Sequence, residues 1–502
     1  MRLFGREWGG KKPASPARYA PIQRRFFSSG ELSRLTGDWP TQPVPAEWII
    51  YRYQRILVAR SREQAHNNDY MRAYLRLQRQ NIVGATGIIL QSQASTARGK
   101  ADSDARAAIE DAFSDWGRRE HCDVAGKLSW RAMQSACVET AARDGEYFLR
   151  IVSGRHGGKY GFALQVLDPQ RCPVDFDRND LPNGAFIRHG VEFNAYGRAL
   201  AFHFSESSAE HSTLAYSYAG KSYTRIPAEE IIHGFIVELP GQKRGLPWLA
   251  TSLFRAKQMS AMEDAAVVNA RVGAAKMGFI EFEAGSGLDY SEEELEALTI
   301  DAEAGAFPIL PDGAKLNKFD PIYPSGELSP FMKLMLRGMA AGGGVAYENL
   351  SQDREGVNYT SIRHGTLDER ETYKERQEWL IEELCERVFE AWFARALLAG
   401  LIVTGSARVL EASQIARYAT HKWQPRRWDW VDPKADMAAA ESSKNNLLAS
   451  PSQLIRERGK DPDQVWTEFA EDIAAMRAKG IPDEFIQTSL GQQPIPDRAA
   501  NE

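Results

Sequence analysis

A chain of 502 residues with 62 Lys and Arg against 67 Asp and Glu, net charge -5, is too long for one core, and it has no dominant basic region of the kind a tight nucleic-acid binder presents. With 43% hydrophobic and 26% charged residues, its apolar content suffices for ordered folding over most of the length, in two or more structural regions. Cys122, Cys137, Cys172 and Cys385 are too scattered for a disulfide framework or a CxxC zinc site, and no stretch reaches the roughly 20 apolar residues a bilayer requires, so the expectation is a soluble, intracellular protein with free thiols and no signal segment.

The first 48 residues mix basic charge, Ser, Gly and Pro without a lasting period, as in GREWGGKKPASP and GDWPTQPVPAEW, and read as an N-terminal arm. From Ile49 to Val83 the spacing becomes helical, with Ile50, Tyr53 and Leu57 followed by Tyr70, Tyr74 and Leu77. Arg52, Arg55, Arg60, Arg62, Arg72, Arg76 and Arg79 occupy the remaining faces and read as solvated helix surface in preference to a nucleic-acid contact. Residues 103–145 predict two more helices, the second from Ser129 to Arg143 with its end near Gly145. The short runs GEYFLRIV, GFALQVLD, AFIRHGVEFN, ALAFHFSE and Glu230 to Val237, bounded by Gly, Pro, Asn or Asp, then predict a mostly antiparallel α+β region.

A helix is expected from Leu246 to Ala275, its interior rich in small residues: Ala256, Ala261, Ala265, Ala266, Ala270 and Ala274. At 1.5 Å per residue that is a rod of roughly 45 Å. A mixed insertion follows to about Pro324, with strand-like KMGFIEFEAG, an acidic helix SEEELEAL and the turn PDGAK. A second helix is expected from Glu327 to about Ala341, ended by Gly342, Gly343 and Gly344, because three successive glycines cost backbone entropy in a helix interior. After the polar segment VAYENLSQDREGVNYTS, the longest apolar periodicity begins near Ile362, with Leu380, Leu384, Val388 and Trp392 at intervals of four and Phe389, Phe393 and Leu397 alongside. From Lys434 onward two or three shorter helices precede a frayed tail, GQQPIPDRAANE.

Signatures of chemistry are missing: there is no GxxxxGKS/T loop, HExxH, GxSxG or EF-hand loop. His203 and His233 sit in strand-like runs and read as packing or surface residues; the pairs Glu293 and Glu294, and Glu382 and Glu383, point in different directions on helices and read as solvated faces. The triple glycine lacks the preceding strand and following helix of a phosphate cradle. What remains is architectural: two helices bracketing an insertion, then a polar loop and a third long helix.

The segment AYENLSQDREGVNYTSIRHGTLDERETYKERQ resembles the lambda-like phage portal proteins, whose pattern Y-E-x-L-(S/T)-x-D and N-Y-(S/T)-S-x-R is met here by Tyr347, Glu348, Leu350, Ser351, Asp353, Asn358, Tyr359, Thr360, Ser361 and Arg363. Three further blocks in order are similar to that family: ARSREQAHNNDYMRAYLRLQRQNIVG, GQKRGLPWLATSL, and WDWVDPKADMAAAESSKNNLLASPSQLIRERGKDPDQVW. The resemblance spans roughly residues 45 to 480.

That resemblance implies an α+β portal fold: an N-terminal arm (1–48), a wing of helices and mostly antiparallel sheet (49–245), stem helices (246–276 and 327–344) around a small α/β clip (277–326), a tunnel loop (345–360), a long wing helix and return (361–433), and a helical crown with C-terminal tail (434–502). It implies a non-enzymatic subunit without cofactor or metal, one of usually twelve in a ring at one capsid vertex, through which double-stranded DNA is packaged and ejected. The implied partners are other copies of the chain, DNA read without sequence specificity, the terminase large subunit that hydrolyses ATP, the major capsid or scaffold protein, and head-tail completion proteins; no membrane is implied. The implied location is the virion, after assembly in the host cytoplasm. In the tunnel loop the DNA-facing candidates are Asn349, Ser351, Gln352, Asp353, Arg354, Glu355, Asn358 and Thr360, which offer neutral hydrogen-bonding groups and nearly cancelling charge. Such a surface touches phosphates without trapping them, and weak overall acidity suits passage better than grip. The competing readings are another head or neck component, or an enzyme on nucleic acid such as a nuclease built on unmarked carboxylates.

Overall fold

The computed structural model describes Arg34, Asp38 and residues 40–205, 223–274, 278–282, 314–318, 328–356, 359–428, 433–483 and 485–486. Residues 1–45 and 46–502 are separate compact units, and everything that follows belongs to the second. The arm before residue 40, the acidic helix expected at 291–298, the turn at 311–313 and the tail at 491–502 lie largely or wholly outside the described residues.

The helix expected from Ile49 to Val83 is two helices, α1 (Ala46–Asn67) and α2 (Asp69–Ile82). Asn68 makes the break: its backbone is extended, its side-chain oxygen accepts the Met71 N–H at 2.9 Å to cap α2, and its amide donates to Ser260 Oγ at 2.9 Å. A helical period continues across such a cap, so the pattern alone hides it. α3 (Ser103–Trp116) starts at the Asp102 cap, and a single turn, α4 (Arg119–Cys122), precedes α5 (Trp130–Asp144). Ser129 caps α5 and Gly145, at φ 94°, ends it, as the sequence predicts.

Strands β1 (Ile89–Ser92), β2 (Glu146–Ser153), β3 (Phe162–Leu167), β4 (Phe186–Arg188), β5 (Val191–Phe193), β6 (Ala199–Ser205), β7 (Tyr223–Pro227) and β8 (Ile231–Phe235) follow. They form an antiparallel sheet in the order β3-β2-β8 and a second in the order β4-β5-β6-β7. The run AFIRHGVEFN, expected as one strand, is a hairpin, because His189 (φ 52°) and Gly190 (φ 78°) take the two left-handed positions of a two-residue turn.

α6 (Leu253–Ala274) begins seven residues later than expected; Pro247 lacks an N–H, and residues 250–252 form only a 3-10 turn. The helix is therefore about 33 Å long. Strands β9 (Gly278–Phe282) and β10 (Ala314–Lys318) pair antiparallel inside the insertion, and α7 (Leu328–Gly343) returns alongside α6. α8 (Tyr347–Ser351) is one short turn. α9 (Tyr359–Leu380) passes through a π turn at Ile381–Glu386 into α10 (Arg387–Leu398), one run in which Leu380, Leu384, Val388 and Trp392 are all fully buried. After the short helix α11 (Ile415–Tyr418), strand β11 (His421–Gln424) pairs with β1, a link between distant segments that four-residue strands did not signal. α12 (Pro433–Asn445), α13 (Pro451–Glu457) and α14 (Pro462–Ala478) complete the described chain. Among the described residues no helix is long and apolar enough to cross a membrane, and all four cysteines are free and buried.

The larger core is an aromatic cluster where α3, α5, β3 and α10 meet. Phe113 lies 5.0 Å from Trp392 and 5.2 Å from Trp116, and the Trp116 indole N–H donates to the Phe162 carbonyl at 2.9 Å. A smaller core, including Phe148, Phe193, Phe202 and Phe204, fills the space between the two larger sheets. Trp392→Ala is expected to destabilise the fold by about 3–5 kcal/mol, read as a lower denaturant midpoint, because a fully buried indole ringed by aromatic neighbours leaves a cavity they cannot close.

Candidate functional site

Where sequence reasoning ends the returning helix at Ala341, α7 continues through Gly342 and Gly343. A Cβ at Gly342 would stand 2.8 Å from Ser252 Oγ, and one at Gly343 would stand 2.8 Å from the Tyr74 ring and 3.0 Å from Leu249. These two glycines stay helical and allow α7 to press against α2 and the turn before α6. Only Gly344, at φ 66°, ends the helix. Arg376 Nη2 donates to the Gly343 carbonyl at 3.2 Å, tying the same spot to α9.

The loop that follows is braced from within. Tyr347 donates its hydroxyl to Asp353 Oδ2 at 2.8 Å, Ser351 Oγ donates to the Tyr347 carbonyl at 2.7 Å, and the Asp353 N–H donates to Ser351 Oγ at 3.1 Å. Asp353 also accepts the Glu355 N–H at 3.0 Å and pairs with Lys333 of α7 at 3.2 Å. The backbone N–H of Glu355, the Tyr347 hydroxyl and the Lys333 ammonium together hold its carboxyl down at about 2. Asn349 donates to the buried Glu369, which also accepts the Tyr373 hydroxyl at 2.8 Å. Gln352, at φ 58°, turns the chain outward.

Of the eight candidates, Asn349, Ser351 and Asp353 therefore engage the protein itself, and Gln352 donates its side-chain amide to the Asn349 carbonyl at 2.7 Å. Gln352 and Arg354 are exposed, and Glu355 is 83% exposed while reaching Lys333 at 3.1 Å. Arg354 has no partner among the described residues. Asn358 lies outside those residues, and Thr360 lies in α9 with its side chain not described. Sequence reasoning missed Lys333, Glu369 and Tyr373, which sit on helices flanking the loop with no local signal of their role. Asp353 and Glu355 both pair with Lys333, and with Glu348 and Arg354 counted, three acidic groups against two basic ones leave the loop and Lys333 a formal charge of only -1.

The same unit also holds a buried charge centre. Arg244 and Glu146 are both fully buried and meet at 2.6 Å. The remaining guanidinium hydrogens go to the carbonyls of His189 at 2.6 Å and Cys172 at 3.2 Å. Glu146 also accepts from Gln54 at 3.0 Å, from His233 Nε2–H at 2.9 Å and from the Gly245 N–H at 3.1 Å. Burial alone would raise the Glu146 pKa, but the Arg244 charge and the hydrogen bonds from His233 and Arg244 bring it to about 2. For His233 burial outweighs the carboxylate, lowering its pKa, so it serves as a neutral donor stacked 4.2 Å from Phe148. On the outer side Arg62 bridges Asp144 at 2.8 Å and Asp168 at 2.7 Å, which makes it a tie rather than solvated surface. His203 sits near Glu192 at 3.4 Å. Among the described residues no three His, Cys, Asp or Glu side chains are grouped to hold a metal.

The Arg-Gly of GQKRGLPWLATSL is thus the buried anchor preceding α6, and the triple-glycine and Tyr347–Asp353 segments form a braced loop between two helices. A family model described as phage portal protein, lambda family, matches residues 32–377. This chain belongs to the lambda family of phage portal proteins. It is 34% identical over 480 residues to the probable portal protein of Halomonas phage phiHAP-1, covering 94% of this chain and 91% of that one. Identity to portal protein B of Escherichia phage lambda is 24% over 466 residues, with 84% of each chain covered. Among solved structures, a chain from the neck of an empty GTA particle computed with C6 symmetry aligns with TM-score 0.45 and 16% identity over 85% of this chain and 98% of its own. A chain from the neck of the native GTA particle computed with C12 symmetry aligns with TM-score 0.44 and 14% identity over 82% and 94%. As a portal protein the chain is a structural component of the phage particle, in a family that is not enzymatic.

Arg244→Met in this portal protein would leave Glu146 buried without its countercharge and is expected to cost about 3–5 kcal/mol near pH 7. Because Glu146 titrates in the folded state at about 2, below its unfolded value of roughly 4.3, the stabilisation is present above pH ~4.3 and is lost as pH falls toward 2. Thermal melts between pH 3 and 7 should show the gap between wild type and variant closing as the pH falls below about 4. A gap that stays constant with pH would contradict the assignment.

Proposed function

We propose that this portal protein assembles as a ring of twelve at one capsid vertex, through which double-stranded DNA is packaged and ejected. In this reading residues 246–276 and 327–344 form the stem, 277–326 the clip, 345–360 the tunnel loop, 49–245 and 361–433 the wing, and 434–502 the crown. The ring docks the terminase large subunit during packaging and head-tail completion proteins afterward, is seated by the major capsid or scaffold protein, and is assembled in the host cytoplasm. ATP hydrolysis belongs to the motor; this chain guides and retains DNA.

One observation carries the reading. α6 and α7 pack on each other through Ala256, Met259, Leu336 and Met339, yet Phe254 (73% exposed), Val268 (54%) and Leu334 (65%) point away from that seam. Helices apolar on more than one side need neighbours on more than one side, and copies arranged around a closed axis supply them. Rods buried inside a solitary globule would have left no such surface. The weakly acidic loop supports the second half of the reading, since passage requires contact with phosphates without strong counterion release.

Negative-stain microscopy of the purified chain should show rings with a central hole, and Val268→Asp combined with Leu334→Asp should shift the population to folded monomers. Rings unaffected by both charges would place the subunit contact elsewhere. Gln352→Ala with Arg354→Ala should leave rings intact while DNA packaged or retained per particle falls severalfold; unchanged DNA content would remove the exposed loop residues from the DNA path.

A further inference from the structure

Two charged stripes lie outside both the loop and the buried charge centre. On α9 and the π turn after it, Asp368, Glu371, Glu375, Glu378 and Glu382 recur at intervals of three and four, and all five are exposed. Among the described residues only Glu371 has an ion-pair partner, Lys374 on the same helix at 2.5 Å. On α2, Arg72, Arg76 and Arg79 recur at intervals of four and three and are exposed as well. Arg79 pairs with Glu139 at 3.0 Å, whereas Arg72 and Arg76 have no ion-pair partner among the described residues. The exposed Arg131 of α5 lines the same groove as Arg79 and adds to the positive side.

The two helices that carry the stripes pack back to back. Gln377 Nε2 donates to the carbonyls of Asn81 at 3.1 Å and Ile82 at 3.2 Å, and Arg376 donates to Gln78. At about 100° of rotation per residue, each stripe lies roughly opposite its own helix's contact face. This layer of the subunit therefore has an acidic side and a basic side. Most of these charges have no ion-pair partner among the described residues of one chain, but the two sides match across a head-to-tail ring, where one subunit's acidic side meets its neighbour's basic side. We propose that the α9 acidic stripe of each copy docks on the α2 basic stripe of the adjacent copy. The proposal rests on the ring reading above and assigns the wing-level contact within it.

Charge reversal tests it. One variant carries Glu375→Lys and Glu378→Lys, a second carries Arg72→Glu and Arg76→Glu, and mass photometry follows assembly near 0.15 M salt, where charges within roughly 8 Å still interact. Each variant alone should need at least about tenfold more protein to form rings, while an equimolar mixture should assemble near the wild-type concentration, because alternating copies restore every pairing. The rescue also shows that both variants fold. Variants that assemble individually like wild type, or a mixture that fails to recover, would overturn the pairing. If the arginine variant forms normal rings but loses DNA binding in an electrophoretic assay, the basic stripe faces nucleic acid instead. A wild-type chain that never forms rings overturns the ring reading and this proposal together, whereas intact rings indifferent to both reversals sink this proposal alone.

Discussion

A guanidinium with no exposure must have its donors answered inside the protein, and Arg244 does so with Glu146 and with the carbonyls of His189 and Cys172. That requirement ties together segments that would otherwise move independently: the start of β2, the turn between β4 and β5, the loop after β3, and the approach to α6. Gly145 and Gly245 come so close that a Cβ on either would enter the other's backbone, which is why the charge centre can sit between the end of α5 and the start of the path to α6. A buried pair of this kind is weak evidence of net stability, since desolvation offsets much of its attraction. Its effect is to permit one arrangement and penalise others, because any slip leaves a buried charge unanswered.

The portal role builds on that rigidity. α6 and α7 leave the buried centre as a pair whose inner seam is packed and whose outer faces are not, and the loop after Gly344 is held by Tyr347, Ser351, Asp353 and Lys333 instead of being left slack. In the proposed role the loop would lie beside moving DNA and feel repeated lateral force, and internal hydrogen bonds that do not involve DNA would let it keep its shape. Asp353 illustrates the division of labour: its charge is used inside the loop, whereas Arg354 is exposed and Gln352, though exposed, donates to the Asn349 carbonyl.

Much of this was legible in the residues. The antiparallel α+β body, the stripe Leu380–Leu384–Val388–Trp392 and the caps at Ser129 and Gly145 follow from spacing and from residues whose local preferences agree with the fold. The four blocks resembling portal proteins lie in the sequence itself, so the family was legible there as well. Boundaries were less legible wherever a local rule met a tertiary contact. Asn68 divides one continuous period because it caps α2 and reaches Ser260; α6 starts late because Pro247 and the contacts of residues 249–252 hold the chain away from a helix; Gly342 and Gly343 remain helical because Tyr74 and Ser252 leave no room for a side chain.

The sequence by itself determined the class of element at most positions and the family, since periodicity, capping residues and motif order are properties of neighbouring residues along the chain. Tertiary structure alone decided which charges are ties and which are surface. Arg62 and Arg76 lie in one arginine-rich run, yet Arg62 reaches Asp144 and Asp168 while Arg76 faces outward. The reason is that an ion pair depends on distance through space, and carboxylates more than eighty residues away along the chain come within 3 Å of a guanidinium only once the fold has closed.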